Sequence, residues 1–142
     1  MDDNVELLKE CDAGVKMGID GISQVIANVD GENLKNLLEN YEKQHKKLEG
    51  IISTKLQETG EDGKEPNAFG KAGSWFNINM KMFINDSDEK IADVMIDGCN
   101  MGIKSVSRYM NEYAGAQKDV MDIANDVVVL EQHFMNELRQ YL

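Results

Sequence analysis

Glu42 and His45 stand three residues apart in the segment YEKQHKKL, residues 41–48. On an α-helix this spacing places both side chains on one face, so a carboxylate and an imidazole would point in the same direction. These groups can serve as metal ligands if other helices supply further donors. They can equally be a surface carboxylate and a hydrogen-bonded core histidine with no metal between them.

Three other acidic residues could complete such a site. Glu131 falls within the apolar stripe of the last predicted helix, where a carboxylate is costly unless it is paired. It could be a metal ligand, form an ion pair with His45 across the protein, or flank the stripe and reach solvent. Asp12 occupies a stripe position in the first helix, and Asp97 is a candidate from the third long helix. Each is either a ligand or an ordinary boundary residue.

Nucleophilic catalysis has no support in the sequence. His45 and His133 are the only histidines, and neither stands in a motif with a serine or cysteine nucleophile. His133 lies two residues from Glu131, so the two side chains would face in different directions on a helix. Cys11 and Cys99 lack metal-type spacing and are interpreted as small buried hydrophobic residues in a reducing compartment. A disulfide or redox pair is the second interpretation.

The composition favours one helical domain over residues 1–142. Apolar residues make up 42% of the chain, aromatic residues only 6%, and there is one proline. The net charge of −11 argues against nucleic acid and anionic membranes as partners. No stretch approaches the roughly 20 apolar residues of a membrane span. The acidic N-terminus lacks the basic region of a signal peptide, so a cytoplasmic protein is expected.

Apolar residues at three- and four-residue spacing predict four long helices and a shorter one. The long helices are predicted at 3–28, 32–58, 87–113 and 117–141. Asp30 is expected to cap the second helix, and Asp86 with Glu89 reads as a capping box for the third. The short helix is predicted at 68–84, carrying Trp75 and Phe76, in the long connection between the second and third long helices. The pattern indicates an all-α four-helix bundle.

An internal repeat links the two halves of the chain. GVKMGI at 14–19 and GCNMGI at 98–103 share the pattern G-x-x-M-G-I. Glycine inside a helix costs about 1 kcal/mol relative to alanine, so close approach of the two helix backbones is expected at these glycines. Aligning the apolar stripes of the second and last helices then matches Glu42 with Glu131 and His45 with Phe134.

Two helical hairpins joined by a long crossover, with Glu-x-x-His in the second helix, resemble the ferritin-like superfamily. The segments that carry the resemblance are CDAGVKMGIDGI, IADVMIDGCNMGIKSVSRYMNEY and LEQHFMNELRQYL. They are most similar to small bacterial ferritin-like domains of unknown function. The resemblance implies a ferritin-like bundle over essentially the whole chain. In di-iron members, two helices each supply a Glu and the other two each supply a Glu-x-x-His. Here only Glu42 and His45 match a complete motif.

Two functions therefore remain open. The first is a non-catalytic binding or structural domain, expected to self-associate as a homodimer, that keeps the fold without a complete di-iron site. The alternative is a di-metal protein that binds iron or manganese and has ferroxidase-type activity. In that case Glu42, His45 and Glu131 would be ligands together with Asp12 or Asp97.

Overall fold

The computed structural model describes residues 2–60 and 87–142, and these ranges contain four long α-helices and no β-strand. The helices are α1 (Asp3–Val25), α2 (Glu32–Glu58), α3 (Asp88–Glu112) and α4 (Lys118–Leu138). Short 3₁₀ turns at Ile26–Asn28 and Arg139–Tyr141 extend α1 and α4. The all-α prediction is confirmed. The predicted helix at 68–84, with Trp75 and Phe76, lies outside the described residues, as does the predicted capping residue Asp86.

The helix starts differ in detail from those predicted. The N-cap of α2 is Gly31, not Asp30, and no side chain caps this helix. The N-cap of α3 is Ser87, one residue later than predicted, and its hydroxyl accepts a hydrogen bond from the backbone N–H of Lys90. The carboxylate of Asp2 caps α1 in the same way by accepting from the N–H of Asn4 at 2.9 Å.

Contacts between helix ends give the direction of each helix. The turn before α2 bonds to Asp88 at the start of α3, so α1 and α3 are antiparallel. Lys55 near the end of α2 forms an ion pair of 2.7 Å with Asp119 at the start of α4. These two helices are therefore antiparallel too. It follows that α2 and α3 run parallel, and that α2 ends at one end of the bundle while α3 begins at the other.

The two hairpins, α1–α2 and α3–α4, bury equivalent positions. Positions that the internal repeat relates are buried in both α1 and α3. Val15 corresponds to Cys99, and Ile22 corresponds to Val106. In α2 and α4 six buried positions of the stripe also correspond at one constant offset, while Leu56, Val128 and Leu130 have no buried counterpart. The matched pairs are Leu34 with Val120, Leu38 with Ala124, Tyr41 with Val127, His45 with Glu131, Leu48 with Phe134, and Ile52 with Leu138. The two hairpins therefore use similar positions to form the core.

The turn of each hairpin is bound by an aspartate from the other hairpin. Asp88 accepts hydrogen bonds from the backbone N–H groups of Asp30 and Gly31 at 2.9 and 2.8 Å. In the equivalent place, Asp3 accepts from the N–H of Gly115 at 3.0 Å. A Cβ atom at Gly31 would lie 2.9 Å from the Asp88 carboxylate, and one at Gly115 would lie 2.6 Å from that of Asp3. Glycine lets the carboxylates approach the turns closely.

None of the helices in the described ranges is long and apolar enough to cross a membrane.

Candidate functional site: a buried histidine–glutamate pair

His45 and Glu131 meet in the middle of the bundle. The ring of His45 is fully buried, and Glu131 is only 8% exposed. The Nδ1–H group of His45 donates to the backbone carbonyl of Tyr41 at 2.6 Å, and the Nε2–H group donates to Oε1 of Glu131. A carbonyl and a carboxylate are both acceptors, so satisfying both requires a proton on each ring nitrogen. The geometry is that of an imidazolium–carboxylate ion pair.

The surroundings of His45 favour this charged form. Burial lowers the pKa of the imidazole, but the hydrogen bond to Glu131, the charge of that carboxylate and the bond to the Tyr41 carbonyl together raise it above 6.5. The pKa of His45 is therefore raised, although its ring is completely buried. A charge that is buried together with its partner avoids much of the penalty that an isolated ion would meet.

Gly18 on α1 provides the space for the ring of His45. A Cβ atom at Gly18 would lie 2.8 Å from Cδ2 and 2.9 Å from Nε2 of His45. A Cβ atom at Gly102 would lie 3.6 Å from Cγ of Glu131, an ordinary contact. The nearest atoms to these repeat glycines are thus side chains of the second helix of each hairpin. The expectation of glycine-to-glycine backbone contact is corrected accordingly.

Aromatic side chains hold the histidine ring from one side. Phe134 stacks on Tyr41 with ring centroids 4.4 Å apart, and its ring meets that of His45 edge-on at 5.9 Å. The hydroxyl of Tyr41 donates to Glu137, which fixes the far end of this stack. The imidazole is therefore constrained by two hydrogen bonds, an aromatic edge and the α1 backbone.

The other candidate ligands lie elsewhere. Glu42 accepts a hydrogen bond of 3.2 Å from the hydroxyl of Ser23 and lies 3.8 Å from Lys46. Asp12 is buried at 1% exposure and forms an ion pair of 2.8 Å with Lys16. Because α1 rises about 1.5 Å per residue, Asp12 is about 16 Å along the helix from Ser23, the contact of Glu42. These two carboxylates do not face each other.

Asp97 and His133 are both exposed, on α3 and α4 respectively. The structure brings together only His45 and Glu131 among the five candidate ligands. Within residues 2–60 and 87–142, no group of three or more histidine, cysteine, aspartate or glutamate side chains is arranged to hold a metal ion. The arrangement that is present can hold one proton between two buried groups.

The two cysteines are buried free thiols, as the sequence indicated. Burial, followed by the charges of Glu10 and Asp12, raises the pKa of Cys11 to about 12. Burial and the neighbouring Glu131 carboxylate raise the pKa of Cys99 well above its usual value. Without a bound metal both thiols therefore stay protonated at neutral pH, and a protonated thiol is a poor nucleophile.

The alignment of α2 with α4 that the apolar stripes suggested is wrong by three residues. It matched His45 with Phe134, whereas in the structure the equivalent of His45 is Glu131, and Phe134 matches Leu48. A stripe with three- and four-residue spacing matches itself again after a shift of three, so periodicity alone does not fix the register. The sequence did contain a signal for the register. Each stripe includes one polar residue that the structure buries, His45 in α2 and Glu131 in α4. Aligning those two residues gives the correct register.

Comparison of the chain with protein-family models, with curated proteins and with solved structures gives no match.

The raised pKa of His45 predicts a pH dependence of stability. A group whose pKa is higher in the folded protein stabilises it fully below the unfolded-state value, here about 6.5. This stabilisation is lost as the pH rises through the folded-state value. We expect the free energy of unfolding to fall above pH 6.5 by up to about 1.4 kcal/mol per pH unit. Chemical unfolding at several pH values from 6 to 9 measures this slope.

The control is the double variant His45→Leu/Glu131→Leu, which lacks both charges and should show a smaller slope. Equal slopes in the two proteins would contradict the assignment of the pH dependence to His45.

Proposed function

We infer that this protein is a non-catalytic helical domain of ferritin-like architecture in which an ion pair occupies the centre of the bundle in place of a di-metal site. The observation that carries this proposal is the buried pair of His45 and Glu131, one residue from each hairpin at equivalent positions.

Charge balance supports the proposal. A di-metal centre gathers several buried carboxylates, whose charges are offset by the bound cations. Here the one carboxylate at the centre, Glu131, is already offset by the imidazolium of His45. Glu42 and Asp12 have a hydroxyl and a lysine as their partners. The negative charge at the centre of the bundle is therefore balanced by a side chain of the protein, without a metal ion.

The helix directions support the ferritin-like part of the proposal. Helices α2 and α3 run parallel, so they cannot be joined by a tight turn of the kind that joins α1 to α2. One long crossover between two antiparallel hairpins is the connectivity of ferritin-like bundles. The matched buried positions of the two hairpins are consistent with the same architecture.

Self-association as a dimer belongs to the same proposal. Ile51 on α2 is 47% exposed, an unusual position for a large apolar side chain in this protein. It borders a shallow groove of about 300 Å³ between α2 and α4 that also contains Lys47 and Asp126. Sedimentation analysis at several concentrations gives the oligomeric state.

The experiment that tests the proposal is metal loading under anaerobic conditions. Ferrous iron and then manganese are added, the bound metal is counted after desalting, and the melting temperature is measured. A metal at a hundredfold excess over its Kd would stabilise the protein by about 2.7 kcal/mol. That corresponds to a rise of several degrees for a chain of this size. We expect no stoichiometric binding and no such rise.

Binding of one or two equivalents with a higher melting temperature would overturn the proposal and favour the di-metal alternative, provided that Glu42→Ala abolishes both effects. Glu39→Ala is the matched control, because Glu39 is an exposed carboxylate on the same helix.

A further inference from the structure

The groove between α2 and α4 has an apolar floor and one charge on each wall. Leu48 and Leu130 line it and are buried, and Ile51 stands on its edge with 47% of its surface exposed. Among the described residues that line the groove, Lys47 on α2 is the one lysine or arginine, and Asp126 on α4 is the one carboxylate. Both of these charged residues are exposed. The groove therefore suits a partner surface that is apolar and carries one charge of each sign.

Lys47 and Asp126 lie at nearly the same height along the bundle. The ion pair of Lys55 with Asp119 fixes the relative position of the two antiparallel helices. Lys47 lies eight residues before Lys55, or about 12 Å along α2, and Asp126 lies seven residues after Asp119, or about 10.5 Å along α4. Because the helices are antiparallel, both steps run in the same direction. The two residues therefore differ in height by only about 2 Å.

Neither of these two charges is used within the described part of the chain. The side chains of Lys47 and Asp126 form no ion pair or hydrogen bond with another residue of the ranges 2–60 and 87–142. The neighbouring Lys46 differs, since it lies 3.8 Å from Glu42 on its own helix. Two opposite charges at one height are thus free to meet a partner.

We propose that the occupant of this groove is a second copy of the chain, in a twofold dimer in which α2 of each copy lies against α4 of the other. A twofold axis that runs along the groove, parallel to the helices, exchanges the places of α2 and α4 without changing height. Lys47 of each copy then faces Asp126 of the other, so that the contact occurs twice. Ile51 of each copy packs against α4 of the other. This inference rests on the self-association in the proposed function, and it adds the surface and the arrangement.

Charge complementarity selects this arrangement over the other twofold docking of the same face. An axis perpendicular to the helices at this height would lay α2 against α2 and α4 against α4. Lys47 would then meet Lys47, and Asp126 would meet Asp126. Like charges across an interface oppose association, whereas opposite charges favour it and fix the register. Since each copy carries a net charge of −11, two copies need such opposite contacts where they meet.

The test reverses one charge at a time and measures the dimer Kd by sedimentation over a wide range of concentrations. Lys47→Glu and Asp126→Lys should each raise the Kd by at least about tenfold, because each substitution creates two like-charge contacts in the dimer. Both residues are exposed, so both variants are expected to fold. Circular dichroism and the melting temperature verify folding.

An equimolar mixture of the two variants is the deciding measurement. In a mixed dimer the introduced glutamate of one copy faces the introduced lysine of the other, and the second contact is the native pair of Lys47 with Asp126. We expect the mixture to dimerise with the Kd of the wild-type protein. Failure of the mixture to associate would overturn the arrangement of α2 against α4.

Two matched controls carry the same charge reversals outside the groove. Lys104→Glu and Asp97→Lys change exposed residues on α3, and both variants should retain the wild-type Kd. If the wild-type protein dimerises and the groove variants do so equally well, this surface is wrong while the proposed self-association stands. If the wild-type protein stays monomeric at every concentration, both are overturned. The metal-loading result, which tests the ion pair at the centre of the bundle, is unaffected by either outcome.

Discussion

Replacing Glu131 with leucine is expected to lower the free energy of unfolding by about 3–5 kcal/mol. The variant leaves His45 fully buried without its anionic partner. The ring must then either remain charged in an apolar core or lose its proton and leave Nε2 without a hydrogen bond. Both are costly. Since the whole fold of a typical domain is stable by about 5–15 kcal/mol, the loss is a large fraction of the total. Urea unfolding followed by circular dichroism measures it.

The double variant His45→Leu/Glu131→Leu should recover most of this loss. Replacing both members of a buried ion pair by apolar side chains of similar size is often neutral or stabilising. The coupling energy from the two single variants and the double variant then reports the interaction itself. If the double variant is no more stable than Glu131→Leu, the destabilisation does not come from an unpaired histidine.

Replacing Gly18 with alanine is the second change with a large expected effect, a loss of about 1–3 kcal/mol. The new Cβ atom would lie 2.8 Å from a ring carbon of His45. This ring cannot move aside freely, because both of its nitrogens are hydrogen-bonded and Phe134 packs against it. The steric cost therefore outweighs the gain of about 1 kcal/mol in helix propensity that alanine brings. Thermal unfolding gives the change.

Gly102→Ala and Gly14→Ala are matched controls for this variant. Both glycines belong to the same repeat, but a Cβ atom at either would meet only ordinary contacts, at 3.6 Å from Glu131 and 3.8 Å from Val106. We expect both variants to be as stable as the wild-type protein or more stable, by up to about 1 kcal/mol. Equal destabilisation by all three substitutions would mean that the helices α1 and α3 need glycine for another reason.

The fold was largely predictable from the sequence because helix formation leaves a local pattern. The stripes and turn signals placed the four long helices within about three residues of their observed bounds. The helix starts were less predictable, since Asp30 was expected to cap α2 but Gly31 occupies the N-cap position. Only the packing of the two hairpins decides that Asp88 bonds to the turn before α2. A bond between residues so far apart in the chain leaves no periodic signal.

The sequence predicted only part of the candidate site. Pairing of His45 with Glu131 was one of the interpretations, because a carboxylate in an apolar stripe needs a partner. The sequence did not exclude Asp12, since its partner Lys16 is one helical turn away and such pairs are common on exposed helix faces. The opening between α1 and α3, which Glu131 borders, was not predicted either. Glycines inside two helices can permit backbone contact or leave an opening, and only the packed structure distinguishes these outcomes.

The equivalent buried positions of His45 and Glu131 have a consequence for which hairpins can pair. Two copies of the first hairpin, docked in the same way, would bring His45 against His45. Two copies of the second would bring Glu131 against Glu131, and two buried like charges repel strongly. Only a mixed pair places a cation opposite an anion, so docking of α1–α2 with α3–α4 is selected over either symmetric combination. We therefore expect His45 and Glu131 to favour the mixed pairing of two otherwise similar hairpins.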